Sequence, residues 1–158
     1  MKELEMDLID RQILTILQKD ASLPVADVAR KVGLSVTPCW RRIQKLEEDG
    51  IIQGRVALLD GQKIGMGMSV FVGIKTDQHN VAWLDQFAKS VASLPEVVEF
   101  YRMSGEVDYL LRVVVPDMAS YDVFYKKLIG QVKLKDVSSS FAMEEIKYTT
   151  ALPLPEHD

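Results

Sequence analysis

The chain carries one cysteine, Cys39, and two histidines, His79 and His157, far apart. A lone cysteine excludes an intramolecular disulfide and a cysteine-built metal cluster. Two distant histidines leave no pattern for a histidine-based catalytic or zinc site. No apolar run approaches the ~20 residues of a transmembrane helix. The N-terminal MKELEMDLID is acidic and lacks the apolar stretch of a signal peptide, so the expected location is cytoplasmic. There is no basic excess either: 19 Lys and Arg against 23 Asp and Glu give a net charge of −4, which at first argues against nucleic acid as a partner. What remains is an ordinary globular composition, 47% apolar and 27% charged over 158 residues, enough for one domain or two small ones.

The average charge hides a segregation along the chain. Ser35 to Lys45 contains Arg41, Arg42 and Lys45 and no acid, and Glu47, Glu48 and Asp49 follow at once. The periodicity around this stretch is helical. Ile9, Ile13, Ile16 and Leu17 give Asp7–Lys19 one apolar face, with Asp7 as cap. Pro24 suits the first turn of a second helix buried through Val25, Val28, Ala29 and Val32, and Gly33 suits its C-terminus. Ser35 or Thr37 can cap a third helix in which Pro38 stands in the first turn and Cys39, Ile43 and Leu46 share a face. Helix, short glycine turn, helix is the helix-turn-helix arrangement.

After Gly50 the pattern changes. IIQGRVALL (51–59) is β-like and predicts a wing or linking strand, and the three glycines between Asp60 and Gly67 predict a hinge. The boundary falls at residues 55–64, giving a DNA-binding domain over 1–54 and a second domain over 65–158. In that second domain the spacing predicts strands over 69–75, 97–103, 107–115 and 132–142, a further strand over 146–150, and helices over 81–91 and after Asp117. The order βαββαβ is the ferredoxin-like split βαβ motif, so the fold class is α+β. Both helices cover one sheet face, and the other needs a cover, for which dimerisation is the simplest.

DLIDRQILTILQKDASL, VADVARKVGLSVTPCWRRIQKLEEDGII and VALLD in the first half, with PEVVEFYRMSGEVDYLLRVVV and SSSFAMEEIKYTTALPL in the second, resemble the Lrp/AsnC family of transcriptional regulators. The likeness runs from Met6 to Leu154 and is strongest to a cysteine-responsive branch. It implies a winged-helix-like helix-turn-helix, a β linker and a ferredoxin-like effector-binding domain. It further implies homodimers that assemble further, commonly to octamers, and a small amino acid bound between dimers.

The candidate DNA-binding residues are Ser35, Thr37, Trp40, Arg41, Arg42 and Lys45, with Gln44 beside them. Residues near the start of a recognition helix meet base edges, and arginine suits guanine or phosphate. An ordinary solvated arginine face is the plainer reading of the spacing, and Trp40 either packs on the wing or touches DNA. Cys39 reads as a small buried hydrophobe rather than a redox sensor. Gly105 suits a strand-to-strand turn, whereas Asp108 interrupts an apolar strand. By the resemblance this turn lines the effector pocket, so Ser104, Gly105, Glu106, Asp108 and Tyr109 are effector-binding candidates. Asp108 or Glu106 would meet the ammonium of an amino acid, and Ser138, Ser139 and Ser140 of a neighbouring chain its carboxylate. A polar strand edge explains the serines without a ligand. Tyr121, Phe124, Tyr125 and Leu128 are at core spacing rather than an aromatic cage. Glu144, Glu145 and Lys147 read as a charge cluster, and His79 as part of a surface turn.

These readings predict a sequence-specific regulator bound to double-stranded DNA and controlled by an amino acid, without cofactor or metal. The competing class is a small ferredoxin-like enzyme, but no nucleophile–base pair, metal constellation or phosphate loop is legible, and Gly61–Gly67 lacks the P-loop spacing. A third is a metabolite-binding oligomer with no DNA role.

Overall fold

The computed structural model describes residues 6–155, so His157 and the residues before Met6 lie outside it. Contacts divide the chain into two compact units, one up to Leu58 and again from Lys147 on, the other from Leu59 to Ile146.

The first unit starts with α1 (Leu8–Lys19). Asp7 closes a capping box: its carboxylate accepts the Asp10 N–H at 2.9 Å, and the Asp10 carboxylate accepts the Asp7 N–H at 3.2 Å. α2 (Val25–Val32) takes Pro24 as its N-cap, one place ahead of the expected first turn, where a missing N–H leaves nothing unsatisfied. It stops at Gly33 (φ +73°), and the Leu34 N–H returns to the Ala29 carbonyl. Only Gly33, Leu34 and Ser35 separate it from α3 (Val36–Glu48), which places Ser35 and not Thr37 at the N-cap. Ile13, Leu14, Val28, Ala29, Val32, Cys39, Ile43 and Leu46 form one core.

Two expected strands are absent. Residues 51–59 form none: Ile51 and Ile52 turn in against the helical core, and residues 53–60 are exposed, with no strand of this chain beside them to complete a ladder. Residues 146–150 form none either. From Lys147 the chain belongs to the first unit, where the Gln18 amide both donates to the Leu152 carbonyl (3.0 Å) and accepts the Leu152 N–H (2.6 Å). Arg11 donates to the Pro155 carbonyl, and Leu154 packs on the helical core. The alternation in this segment is that of an extended strap, which a period of two cannot tell from a strand.

The second unit is a four-stranded antiparallel sheet of order β2-β3-β1-β4, built from β1 (Met68–Lys75), β2 (Val97–Arg102), β3 (Tyr109–Val115) and β4 (Asp136–Phe141). α4 (Val81–Ala92) and α5 (Met118–Gln131) are capped by Asn80 and Asp117 and cover one face. Strict alternation along β3 explains the two-faced sheet. Tyr109, Leu111, Val113 and Val115 are buried with Val70, Val72, Ile74, Phe87, Val91, Phe124 and Leu128. Phe71, Tyr101, Leu110 and Val114 lie on the opposite face beside the Arg112–Glu99 ion pair (3.2 Å), uncovered within the unit. Tyr121, Phe124 and Leu128 are buried in this core, as their spacing predicts.

Candidate nucleic-acid interface and effector site

α3 has one face committed to the core through Cys39, Ile43 and Leu46. Helical geometry then turns Thr37, Arg41, Gln44 and Lys45 to the other side. Thr37, Arg41 and Lys45 are exposed, as are Ser35 just before the helix and Trp40 (46%). Arg41 makes no ion pair among the described residues, and the face carries no acid until Glu47, which pairs with Arg55 at 2.8 Å. A row of donors on an exposed helix suits base edges and phosphates.

Arg42 stands apart from this row. It borders the core side of α3 and donates to Asp7 Oδ2 (2.6 Å) and Asp10 Oδ1 (2.9 Å). The same two carboxylates close the capping box of α1, so one guanidinium ties α3 to the start of α1. The Asp10 N–H, and after it Arg42, hold the Asp7 carboxyl below its usual range; Asp7 and Asp10 in turn raise Arg42. The acids that hold Arg42 stand more than thirty residues earlier, so only the fold reveals the pairing. Cys39 is fully buried, and burial raises its thiol pKa, which leaves it a packing residue rather than an exposed thiolate.

In the second unit, residues 103–108 form the turn between β2 and β3. Ser104, Gly105 and Glu106 are exposed at its tip, and Gly105 has φ +129°, a conformation that favours glycine. Glu106 lies 3.6 Å from Lys75. Asp108 has a structural task that the sequence did not reveal: its Oδ2 accepts the Thr76 N–H (2.8 Å), and its own N–H meets the Ile74 carbonyl. The three serines separate. Ser138 and Ser140 alternate with Ser139, whose hydroxyl pairs with that of Tyr121 on the helix side. Ser138 comes close to the turn across Gly73: a Cβ on Gly73 would lie 2.9 Å from Ser138 Oγ and 3.0 Å from Val107 Cγ1. Gly73 is therefore what lets the turn and β4 approach one another. Tyr109 is buried among Phe87, Phe100 and Trp83 rather than displayed on the turn.

A second feature was not foreseen. Met118, Tyr121, Tyr125, Val137, Ser139 and Phe141 line an apolar groove of about 710 Å³ between α5 and β4. Phe141, Ser139 and Val137 pair with Val70, Val72 and Ile74, so the groove runs along β1 as far as Ile74, whose carbonyl accepts the Asp108 N–H of the turn.

Among the described residues there is no cluster of three or more His, Cys, Asp or Glu placed to hold a metal, and no helix long and apolar enough to cross a membrane.

Residues 6–53 match the winged helix-turn-helix DNA-binding domain, and residues 69–152 match the Lrp/AsnC ligand binding domain. The DNA-binding transcriptional activator DecR of Escherichia coli K12 is 53% identical over 94% of this chain and 99% of its own length. The glutamate uptake regulatory protein of Zymomonas mobilis is 52% identical over 96% and 93%. Among solved structures, an AsnC family transcriptional regulator from Agrobacterium tumefaciens superposes with a TM-score of 0.92 at 64% identity, covering 94% of this chain and 97% of its own. A Neisseria meningitidis transcriptional regulator in complex with L-Met gives 0.90 at 34% identity over 94% and 97%. These relatives are regulators rather than enzymes, and they share the helix-turn-helix and the ferredoxin-like sheet. The chain belongs to the Lrp/AsnC family of DNA-binding transcriptional regulators.

Proposed function

We propose that this protein reads DNA through Ser35, Thr37, Trp40, Arg41 and Lys45 of each protomer, and that an amino acid bound near the 104–108 turn alters its DNA affinity. The observation that supports the first part best is the unpaired, acid-free face of α3 around Arg41. Arg42 enters as the residue that sets the angle of α3 against α1, with its contact to DNA at most secondary. Two protomers present two such helices to half-sites on one face of the duplex.

For the effector, Glu106 and the remaining carboxylate oxygen of Asp108 suit an ammonium. The Ser104 hydroxyl and the N–H groups around Gly105 suit a carboxylate, with Ser138 and Ser140 at the rim. Tyr109 contributes from beneath, and Ser139 from the groove. By the family resemblance the amino acid lies between dimers, with the serines supplied by a neighbouring chain, and that favours an assembly beyond the dimer, of which the octamer is the form we favour. The uncovered sheet face is the dimer contact. Cytoplasmic location and association with the nucleoid go with this reading.

Cysteine is the first effector to test, as the branch resemblance implies. Methionine and glutamate follow, since L-Met is held by the Neisseria relative and the Zymomonas relative is named for glutamate uptake. A thermal-shift panel of the purified protein against the common amino acids tests the reading. A ligand at about 100 times its Kd adds roughly 2.7 kcal/mol of native stability, several degrees in midpoint. One clear hit supports an amino-acid effector; a flat panel with intact DNA binding contradicts it.

A further inference from the structure

Two kinds of side chain are exposed on α3. Thr37, Arg41 and Lys45 form the row of donors. Beside that row stand two large apolar side chains, Val36 (50% exposed) and Trp40 (46%). Neither belongs to the buried core that Cys39, Ile43 and Leu46 enter from the same helix. Four residues apart, they are neighbours on one flank of α3, with roughly 5–6 Å between Cβ atoms. Side chains on a helix lean toward its N-terminus, which brings the indole of Trp40 back toward Val36.

Contacts within the chain do not account for this pair. Val36 is the first residue of α3, where a β-branched side chain loses rotamer freedom and adds no helix propensity. Half-exposed, it keeps in water apolar area whose burial would be favourable. One exposed hydrophobe is ordinary on a protein surface. Two within one turn, at the end of a recognition helix that meets base edges and beside cations with no acid until Glu47, have a specific complement. The major groove displays one apolar group, the C5-methyl of thymine. Arg41 and Lys45 tell bases apart through hydrogen-bonding atoms and gain nothing from that methyl. The Val36 side chain ends in two methyl groups and has no other use for them.

We propose that Val36, flanked by Trp40, packs on a thymine methyl in each half-site and so determines base preference where the cationic row cannot. The proposal rests on the reading of α3 as the DNA-recognition helix and adds to it one residue and the base that residue selects.

Replacing dT by dU removes this methyl and keeps every hydrogen-bonding atom of the base. Fluorescence anisotropy of the full-length protein tests the proposal on a duplex selected by the protein and on copies with dU for dT at single half-site positions. The variants are Val36→Ala, Val36→Thr and Arg41→Ala. For the wild-type protein one half-site position should show an affinity loss of about fourfold with dU, which is what burial of one methyl group contributes. Val36→Ala should bind the dT duplex more weakly and bind dT and dU duplexes alike. Val36→Thr, which keeps one methyl, should retain part of the discrimination. Arg41→Ala should weaken both duplexes by the same factor and leave the dU loss in place. Comparing variants on the same two duplexes cancels any change in DNA stiffness that dU brings. Wild-type affinity indifferent to dU at every half-site position, selected half-sites without thymine, or a dU loss undiminished in Val36→Ala overturns the proposal while the DNA reading of α3 stands. Failure of the wild-type protein to bind any duplex overturns that reading and the proposal with it.

Discussion

Arg41 and Arg42 are adjacent in sequence, and their environments assign them opposite tasks. Arg42 makes two charged hydrogen bonds from a side chain 34% exposed to Asp7 (52%) and Asp10 (16%). Exposed ion pairs contribute about 0.2–1 kcal/mol each, and a partly buried charged hydrogen bond more, so Arg42→Ala should cost the helical unit about 1–2 kcal/mol. For a unit of this size that lowers the melting midpoint by roughly 5 °C or more. Arg41→Ala removes no intrachain ion pair and should leave the midpoint within about a degree, as for other surface substitutions. On DNA the order reverses. Loss of a base-contacting arginine costs about 1–3 kcal/mol per contact, and loss of a phosphate contact lowers the salt slope by about one. Fluorescence anisotropy on a duplex selected by the protein, together with melting curves, reads both effects. The sign of the pH dependence is also fixed. The folded-state pKa of Asp7 is lowered, so its contribution is fully present above its unfolded value near 3.8 and is lost as pH falls through the folded value below that. Removing Arg42 should diminish this acid-range loss. If Arg42→Ala abolished DNA binding with an unchanged midpoint, the division of labour between the two arginines would be refuted.

Three further outcomes follow from other parts of the molecule. Phe71→Lys, at the centre of the uncovered sheet face, should convert the oligomer to monomer in light scattering with the fold retained; an unchanged mass places the dimer contact elsewhere. Cys39 should react with a thiol reagent only on the unfolding timescale, because it is fully buried with a raised pKa, and fast labelling of the native protein would contradict that packing. Truncation after Ile146 removes the two Gln18–Leu152 hydrogen bonds and the packing of Leu154, so the helical unit should lose about 2 kcal/mol or more while the sheet unit keeps its stability. Equal loss in both units would show that the strap belongs to neither alone.

Much of the fold was legible because local chemistry and period agreed. Asp7, Gly33 and Asp117 mark helix ends, and the period of two along β1 puts Val70, Val72 and Ile74 on the buried face. The segments misread as strands, 51–59 and 146–150, share a cause: a strand requires a partner, and a two-residue period does not say whether one is present. The position of Cys39 was readable from helical spacing. The pairing of Arg42 with Asp7 and Asp10 was not, since it depends on how α3 crosses α1. The serine run shows the same limit. Adjacent residues on a strand face opposite sides, so three neighbours never form one site. Gly73 gave no signal of its own, because it matters only through what the fold brings beside it.

An amino acid and DNA should bind one protein and alter each other's affinity. The direct measurement is the DNA isotherm by anisotropy at fixed salt, with and without the amino acid that the thermal-shift panel selects, alongside calorimetric binding of that amino acid to free and DNA-bound protein. Coupling of about 1–3 kcal/mol is typical, and linkage requires the two factors to be equal. Reciprocal coupling should alter DNA affinity by roughly fivefold or more and effector affinity by the same factor. Identical DNA isotherms at saturating amino acid would contradict it.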